Sequence, residues 1–136
     1  MESKCVMVVD SDLPMGLIAN TTAVLALTLG SKVEGIIGPE VYDADGSSHE
    51  GITTMPIPIL KGDKVKIKEL RDTISTDYPD LLLIDFSNAA QTTKNYEDYT
   101  HKIAQFLRDD LEYLGIAIYG DKKKVNKLTG SMGLLR

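Results

Sequence analysis

The feature that most constrains the fold is a largely apolar stretch near the amino terminus, where an apolar strand pattern precedes an apolar helix pattern. Cys5–Val9 is an unbroken apolar run rich in β-branched residues, which is typical of a central parallel strand covered on both faces. Met15–Leu29 contains no charged residue, and Gly30 follows as the expected end of the helix. A helix so apolar is normally buried on more than one side. We therefore expect a buried strand and a buried helix, around which the other elements pack.

The turn between these two elements is short and acidic. Asp12 is a suitable helix cap because its carboxylate can accept hydrogen bonds from first-turn N–H groups, and Pro14 is tolerated there. Residues 10–14 contain no glycine, so no phosphate-binding glycine loop follows the first strand.

The remaining patterns predict alternating strands and helices. Thr53–Leu60 is extended, and prolines at positions 56 and 58 predict an edge strand. Glu40–Gly51 fits either a small hairpin or an exposed loop. The other predicted elements are a helix from Gly62-Asp63 to about Thr76, a strand over Leu81–Phe86, a helix over Tyr96–Leu111, a strand over Leu114–Gly120 and a short helix from Asp121 to Leu128. This order predicts an α/β sandwich with about four, mostly parallel, strands.

Composition limits the class of protein. A chain of 136 residues with 43% hydrophobic residues predicts one domain, residues 1–136, with a substantial core. One cysteine, Cys5, excludes an internal disulfide framework and a cysteine zinc site, and its strand position predicts an inert core residue. The longest apolar run in the first helix, Ala23–Leu27, is far shorter than the roughly 20 residues that span a bilayer. Because the first strand pattern starts at once, we expect no signal peptide and a cytoplasmic location.

Charge argues against a nucleic-acid partner. The formal net charge is −5, whereas proteins that hold many phosphates usually carry a basic face. A local basic run includes Lys64, Lys68 and Arg71, which share one face of a predicted helix, opposite Ile67 and Leu70. We interpret this face as a solvated outer surface.

Candidate site residues follow the predicted strands. In α/β sheets, ligands bind beyond the carboxyl ends of parallel strands, where Asp10, Asp85 and Asp121 are expected. Such carboxylates can bind Mg²⁺ or act as a general base, although Asp12 and Asp121 also suit helix caps. We predict no cofactor and no metal site. The predicted catalytic residue is Asp85, and the predicted ligand-binding residues are Asp10, Asn20, Ser87, Gln91, Thr92 and Thr129.

The polar groups around these positions leave alternatives open. The loop Ser87–Asn95 suits contact with a small molecule or a peptide backbone, and a solvated loop fits equally well. Asn20 needs hydrogen-bond partners if it is buried, or else faces a cleft. His49 can act as a mobile ligand to a substrate, whereas His101 is expected to be exposed. Neither histidine has a partner that indicates a Ser-His-Asp or Cys-His arrangement.

Two segments carry a family resemblance. Val6–Ala19 (VMVVDSDLPMGLIA) and Val125–Leu135 (VNKLTGSMGLL) resemble the opening strand–turn–helix and the closing segment of type II peptidyl-tRNA hydrolases. More closely, the chain resembles an uncharacterised bacterial domain-of-unknown-function family related to that fold, through DADGSSHEGITTMPIPIL, AQTTKNY and LGIAIYGDKKKVNKLTGS. The resemblance implies a three-layer α/β/α sandwich with a mixed four-stranded sheet.

The departures from the hydrolases determine the functional hypotheses. Leu17 occupies the position of a lysine thought to act on the tRNA ester, and a leucine cannot donate to an oxyanion. Asp85 could match the aspartate of their Asp-Ala-Gly motif. Our leading hypothesis is a binding or interaction protein with a small-molecule or peptide ligand. The alternatives are a hydrolase of an ester or amide, with Asp85 as base and Asn20 and Thr92 as positioning groups, and a homodimer or larger assembly built through the edge strand and apolar helices.

Overall fold

The protein folds around one four-stranded sheet in the computed structural model, which describes residues 2–136. The strands of this sheet are β1 (Ser3–Asp10), β4 (Ile59–Gly62), β5 (Leu82–Ser87) and β6 (Tyr113–Asp121), and a separate hairpin contains β2 (Val41–Tyr42) and β3 (Ser48–His49). The helices are α1 (Met15–Lys32), α2 (Lys64–Asp77), α3 (Asn88–Gln91), α4 (Tyr96–Ile103) and α5 (Lys122–Thr129), with a 3-10 turn at Arg108–Asp110. The expected mixed four-stranded sheet in an α/β protein is therefore confirmed.

The sheet has the order β4-β1-β6-β5, and the central strand β6 is reversed. Strand β1 is parallel to β4, whereas β6 is antiparallel to both β1 and β5. The expectation of a mostly parallel sheet was wrong for β6, which is reversed because the chain enters β6 at the end of the sheet where it leaves β5. There, Asn88 N–H donates to Glu112 O at 2.9 Å. Asp121 consequently pairs with Ser3, at the end of the sheet opposite Asp10.

Helices cover both faces of the sheet. On one face α1 packs on a cluster that includes Met7, Leu25 and Ala117. On the other face α2, α4 and α5 pack on a larger cluster that includes Val8, Ile67, Ile116 and Val125. Gly115 permits the close approach of α1 to β6, because a Cβ atom there would lie 2.8 Å from Thr21 Cγ2.

Helix α1 differs from the sequence expectation at both ends and on its outer side. Pro14 stands at the N-cap and no side chain caps the helix, so the expected cap by Asp12 is absent; the backbone N–H of Asp12 donates to Asp10 Oδ1 at 3.0 Å. The helix continues past Gly30 to Lys32. Its fully buried residues are Thr21, Leu25 and Leu29, while Leu27 is 79% exposed. The expected burial on more than one side is therefore absent in the single chain.

The two edge strands of the sheet differ in what covers them. β4 lies at one margin, where the sequence placed an edge strand, although the strand covers only Ile59–Gly62. The carboxyl-terminal segment covers this margin, since Lys61 N–H donates to Gly133 O at 2.9 Å and Leu135 N–H to Ile59 O at 2.8 Å. β5 forms the other margin.

Three further elements test the sequence patterns. The side chain of Asp63 caps α2 by accepting from Lys66 N–H at 2.8 Å, as the helix start near Gly62-Asp63 indicated. Residues 40–51 form a hairpin, with Gly46 at a φ of 83° in its turn. The predicted helix Tyr96–Leu111 was too long: α4 ends at Ile103, and the following residues return the chain to β6.

Within residues 2–136, no helix is both long enough and apolar enough to cross a membrane.

The position of Cys5 in β1 generates a prediction about its reactivity. Cys5 is buried in the core, and burial raises the pKa of its thiol to about 11. At pH 8 a thiol with such a pKa is ionised in about one molecule in a thousand, and the thiolate is the reactive form. We expect a disulfide reagent that absorbs on reaction to label the native protein slowly and the protein in guanidinium rapidly. Rapid stoichiometric labelling of the native protein would contradict the buried position.

Candidate functional site

The two aspartates at the carboxyl ends of β1 and β5 line two separate clefts. Asp10 lies in a cleft of about 740 Å³ between the turn after β1 and the start of α2, and Asp85 lies in a groove of about 440 Å³ along β5. Strand β6 separates them, and strands lie about 5 Å apart, so Asp10 and Asp85 are at least ~10 Å apart. Asp85 is also level with Val8 rather than with Asp10, because both pair with Ile116. The two carboxylates therefore do not form one compact catalytic pair.

The cleft at Asp10 is mixed in charge. Asp10 is only 2% exposed, and its Oδ1 accepts the Asp12 N–H. The other charged side chains that line the cleft are Asp12, Asp63, Lys64, Lys66 and Glu69. No group of three or more carboxylate, histidine or cysteine side chains within residues 2–136 is arranged to hold a metal ion.

The groove along β5 has a strand edge as its floor and two helices as its walls. Ile84, Asp85 and Phe86 form the floor. The walls and rim are formed by Val24 and Thr28 of α1, Ala90 of α3, Tyr96 and Tyr99 of α4, and residues 93–95 before α4. Tyr96 is 79% exposed, and its ring meets that of Tyr99 edge to face, with the centroids 5.6 Å apart. The groove thus combines an open backbone edge with an exposed aromatic side chain.

Sheet register shows which backbone groups of β5 face the groove. Met7 N–H donates to Pro58 O at 2.9 Å, so Met7 points its backbone groups toward β4 and not toward β6. Ala117 of β6 lies opposite Met7, and since Met7 makes no backbone hydrogen bond to β6, the N–H and C=O groups of Ala117 point away from β1 and toward β5. There they pair with Ile84, which lies opposite Ala117. Leu83 and Asp85 then direct their N–H and C=O groups outward. Across the described part of the chain, no backbone hydrogen bond outside the sheet involves either residue.

The side chain of Asp85 points to the α2 side of the sheet, where it joins a polar cluster. Arg71 Nε donates to Asp85 Oδ2 at 3.4 Å, and the Arg71 guanidinium lies 5.2 Å from the centroid of the Tyr113 ring. Burial raises the pKa of Tyr113, and the negative charges of Asp85 and Asp72 raise this pKa further, whereas Arg71 opposes them. Burial followed by the charge of Asp85 likewise raises the pKa of Tyr99. Both phenols therefore ionise less readily than that of an ordinary tyrosine.

The basic face of α2 is not wholly the solvated surface that the sequence indicated, because Lys68 and Arg71 are half-buried while Lys64 is exposed. Lys68 Nζ donates to Leu111 O at 3.1 Å and also to Asp109 O, while Lys64 pairs with Glu112 at 3.4 Å. Together with Arg71, these lysines attach α2 to the segment that leads into β6. The expectation failed because the chain after α4 is not helical and so reaches this face.

Three of the predicted ligand-binding residues lie close to the carboxyl end of β5 but outside the groove. Ser87 is buried, and its Oγ, like the hydroxyl of Tyr113, has no hydrogen-bond partner within residues 2–136. Gln91 is exposed on α3. Thr92 Oγ1 donates to Asn88 O at 2.7 Å and accepts from Lys102 Nζ at 2.6 Å.

The two remaining ligand-binding predictions lie elsewhere. Asn20 is exposed on the outer side of α1, on the opposite face of the sheet from the Asp85 side chain. Thr129 is buried on α5, where its Oγ1 donates to Val125 O at 2.7 Å. Asp10 and Asp85 are the two predicted site residues that line the two clefts described above.

The sequence reasoning did not assign Arg71, Tyr96 and Tyr99 to a site. Arg71 was interpreted as part of a solvated face, and Tyr96 and Tyr99 fell within a predicted helix that was too long. The available signal was the spacing of Tyr96 and Tyr99, which puts two aromatic rings on neighbouring turns directly after the polar loop.

These features define a mixed α/β protein with an open sheet edge beside the exposed ring of Tyr96, which packs on the partly buried Tyr99. Residues 3–136 match the family described as protein of unknown function (DUF2000), and the chain belongs to this family. A solved structure from Agrobacterium tumefaciens strain C58, described as the protein of unknown function Atu0240, is similar, with a TM-score of 0.88. The sequence identity is 20%, and the match covers 98% of each chain. At this identity the likeness shows the fold alone. A search among curated proteins found no match.

The Arg71 cluster generates a stability prediction. Replacing Arg71 by methionine retains most of the side-chain volume but leaves the half-buried Asp85 carboxylate without its partner. We expect Arg71→Met to lower the free energy of unfolding by about 1–3 kcal/mol, as measured by urea denaturation. Lys64→Met is the matched control, because it removes an exposed ion pair and should change stability by less than about 0.5 kcal/mol. Equal effects of the two substitutions would contradict the structural role assigned to Arg71.

Proposed function

We propose that this protein binds an extended peptide segment along the outer edge of β5. The observation that carries the proposal is that the outward N–H and C=O groups of Leu83 and Asp85 have no backbone partner in the described structure. Such groups form a ready template for an added strand. The opposite margin of the sheet is already covered by residues 133–135, so β5 is the margin available to a ligand.

The groove offers contacts for side chains as well as for the backbone. Residues in a strand alternate between the two faces of a sheet, so an added strand would direct every second side chain toward α1 and the others toward α4. Val24 and Phe86 offer apolar contact on the first side, and Tyr96 offers an aromatic surface on the second. Lys94 and Asn95 add a polar rim. This arrangement supports binding of a peptide with alternating apolar residues.

The proposal predicts a binding defect for a groove variant. A random-peptide library displayed on phage would be selected on the immobilised wild-type protein, and enriched peptides would be synthesised and titrated by calorimetry. We expect Tyr96→Ala to weaken their binding by about tenfold or more, because an exposed aromatic anchor is lost. Leu83→Pro removes an outward N–H group that the strand ladder does not use, and it should weaken binding similarly.

Tyr42→Ala is the matched control. Tyr42 is an exposed tyrosine, like Tyr96, but it lies in the β2–β3 hairpin, away from the groove. Its replacement should leave the affinity unchanged. The proposal would be overturned if no peptide were enriched, or if the enriched peptides bound Tyr96→Ala and the wild type equally.

Kinship with type II peptidyl-tRNA hydrolases remains part of this proposal. The mixed sheet with helices on both faces agrees with the fold that the resemblance implies. Leu17, at the position of the lysine, lies in the first turns of α1 and packs on the cluster around Met7 and Leu25. A side chain engaged in this way supports binding without the chemistry of the hydrolases.

The hydrolase alternative has a direct test, because Asp85 lines the groove. Asn20 and Thr92, its suggested positioning groups, do not line it, and Arg71 already engages the Asp85 carboxylate. We therefore expect no Asp85-dependent release of the blocked amino acid from N-acetyl-aminoacyl-tRNA. The assay compares the wild type with Asp85→Asn, and circular dichroism checks the fold of both. Turnover that Asp85→Asn loses would favour the hydrolase and count against a purely binding role.

A further inference from the structure

The outer face of α1 is exposed and carries no charge. The exposed residues along this face are Met15, Gly16, Ala19, Asn20, Ala23, Leu27 and Ser31, and the first charge on the helix is Lys32. Met15 and Leu27 are 85% and 79% exposed. A long helix that carries no charge on any side and is largely apolar is normally covered on more than one side. In the single chain, α1 is covered only on the side that meets the sheet.

The other long helix of the protein has an ordinary outer face. The exposed positions of α2 include Lys64, Lys66, Glu69 and Asp77. Charged residues make up 26% of the chain, so an uncharged run of 17 residues, from Met15 to Ser31, is a specific departure and not a consequence of composition. The sequence of α1 therefore suits a covered surface.

We propose that the outer face of α1 is covered by α1 of a second copy of this chain. In a twofold-symmetric dimer each surface meets its own copy, so any charge near the axis meets the same charge. The chain carries a net charge of −5, so two copies repel each other overall. The outer face of α1 is free of this repulsion, and Gly16, Ala19 and Ala23 let the two helices approach closely.

The chemistry of the face disfavours other occupants. Helices that lie on membranes usually combine an apolar face with many Lys or Arg residues, which α1 lacks before Lys32. A different protein partner is usually selected by complementary charges, and this face offers none. A second copy needs no such selection because an apolar face is complementary to itself.

The size of the face indicates the strength of the dimer. α1 has 18 residues and is about 27 Å long. A pair of helices of this length buries less than the ~800 Å² per partner of a standard stable interface. We therefore expect a reversible dimer that depends on protein concentration. The proposed peptide groove uses Val24 and Thr28 of α1 and none of the seven exposed residues of this face, so the two proposals are independent.

Analytical ultracentrifugation from about 1 µM to about 1 mM tests the inference, since this range brackets weak and stable dimers. The wild type should change from monomer to dimer within this range. Leu27→Lys should raise the dimer dissociation constant by about tenfold or more, because it puts a charge on the apolar interface. Leu107→Lys is the matched control: Leu107 is 74% exposed outside α1, and its replacement should leave the constant unchanged within about twofold.

Two variants with opposite charges at one position provide a second test, because mixing them should restore the dimer that each variant alone has lost. Ala23 is exposed near the middle of α1, where the twofold axis of an antiparallel helix pair would pass. Ala23→Lys and Ala23→Glu should each remain monomeric, and an equimolar mixture should dimerise. A wild type that stays monomeric throughout the concentration range would overturn the inference. So would a dimer that is unaffected by Leu27→Lys, or one that Tyr96→Ala disrupts instead, since that would place the interface at β5.

Discussion

The antiparallel pairing of β6 between β1 and β5 is the constraint on which the rest of the structure depends. β6 joins the two halves of the chain, since it hydrogen-bonds with the first strand on one side and with β5 on the other. Its reversal brings Tyr113 to the same end of the sheet as Asp10 and the end of β5. Because β6 lies between β1 and β5, Asp10 and Asp85 are separated, and Tyr113 at the start of β6 packs on Arg71, which also engages Asp85.

Local patterns predicted the individual elements well but not their direction. The apolar run of β1, the cap at Asp63 and the uncharged helix α1 are local features, and each appears close to its predicted position. The direction of β6 depends on where the chain re-enters the sheet after α4, which no pattern within the strand encodes. The candidate site residues show the same contrast between local sequence features and contacts of distant segments. Asp10 and Asp85 were found from strand ends, whereas Arg71 enters the site through contacts between distant segments.

The two edge strands of the sheet, β4 and β5, are protected in different ways. A sheet with two bare margins would pair indiscriminately, and proteins usually protect such edges. Here, the carboxyl-terminal segment occupies the β4 margin through the outward groups of Ile59 and Lys61. The β5 margin is instead recessed between α1 and α4, so a segment that pairs with it must also fit between Val24 and Tyr96. An edge recessed in this way favours selective pairing over general aggregation.

Helix α1 contributes to both proposed surfaces, the peptide groove and the outer face, but with different residues. Its inner side packs closely against β6, where Gly115 leaves room for Thr21. Val24 and Thr28 form the groove wall on one flank, and Ala23 and Leu27 stand on the outer face. A second copy packed on the outer face would support the helix from behind and so make the groove wall more rigid. Binding of a peptide would then be coupled to dimer formation only through this stiffness, because no residue belongs to both surfaces.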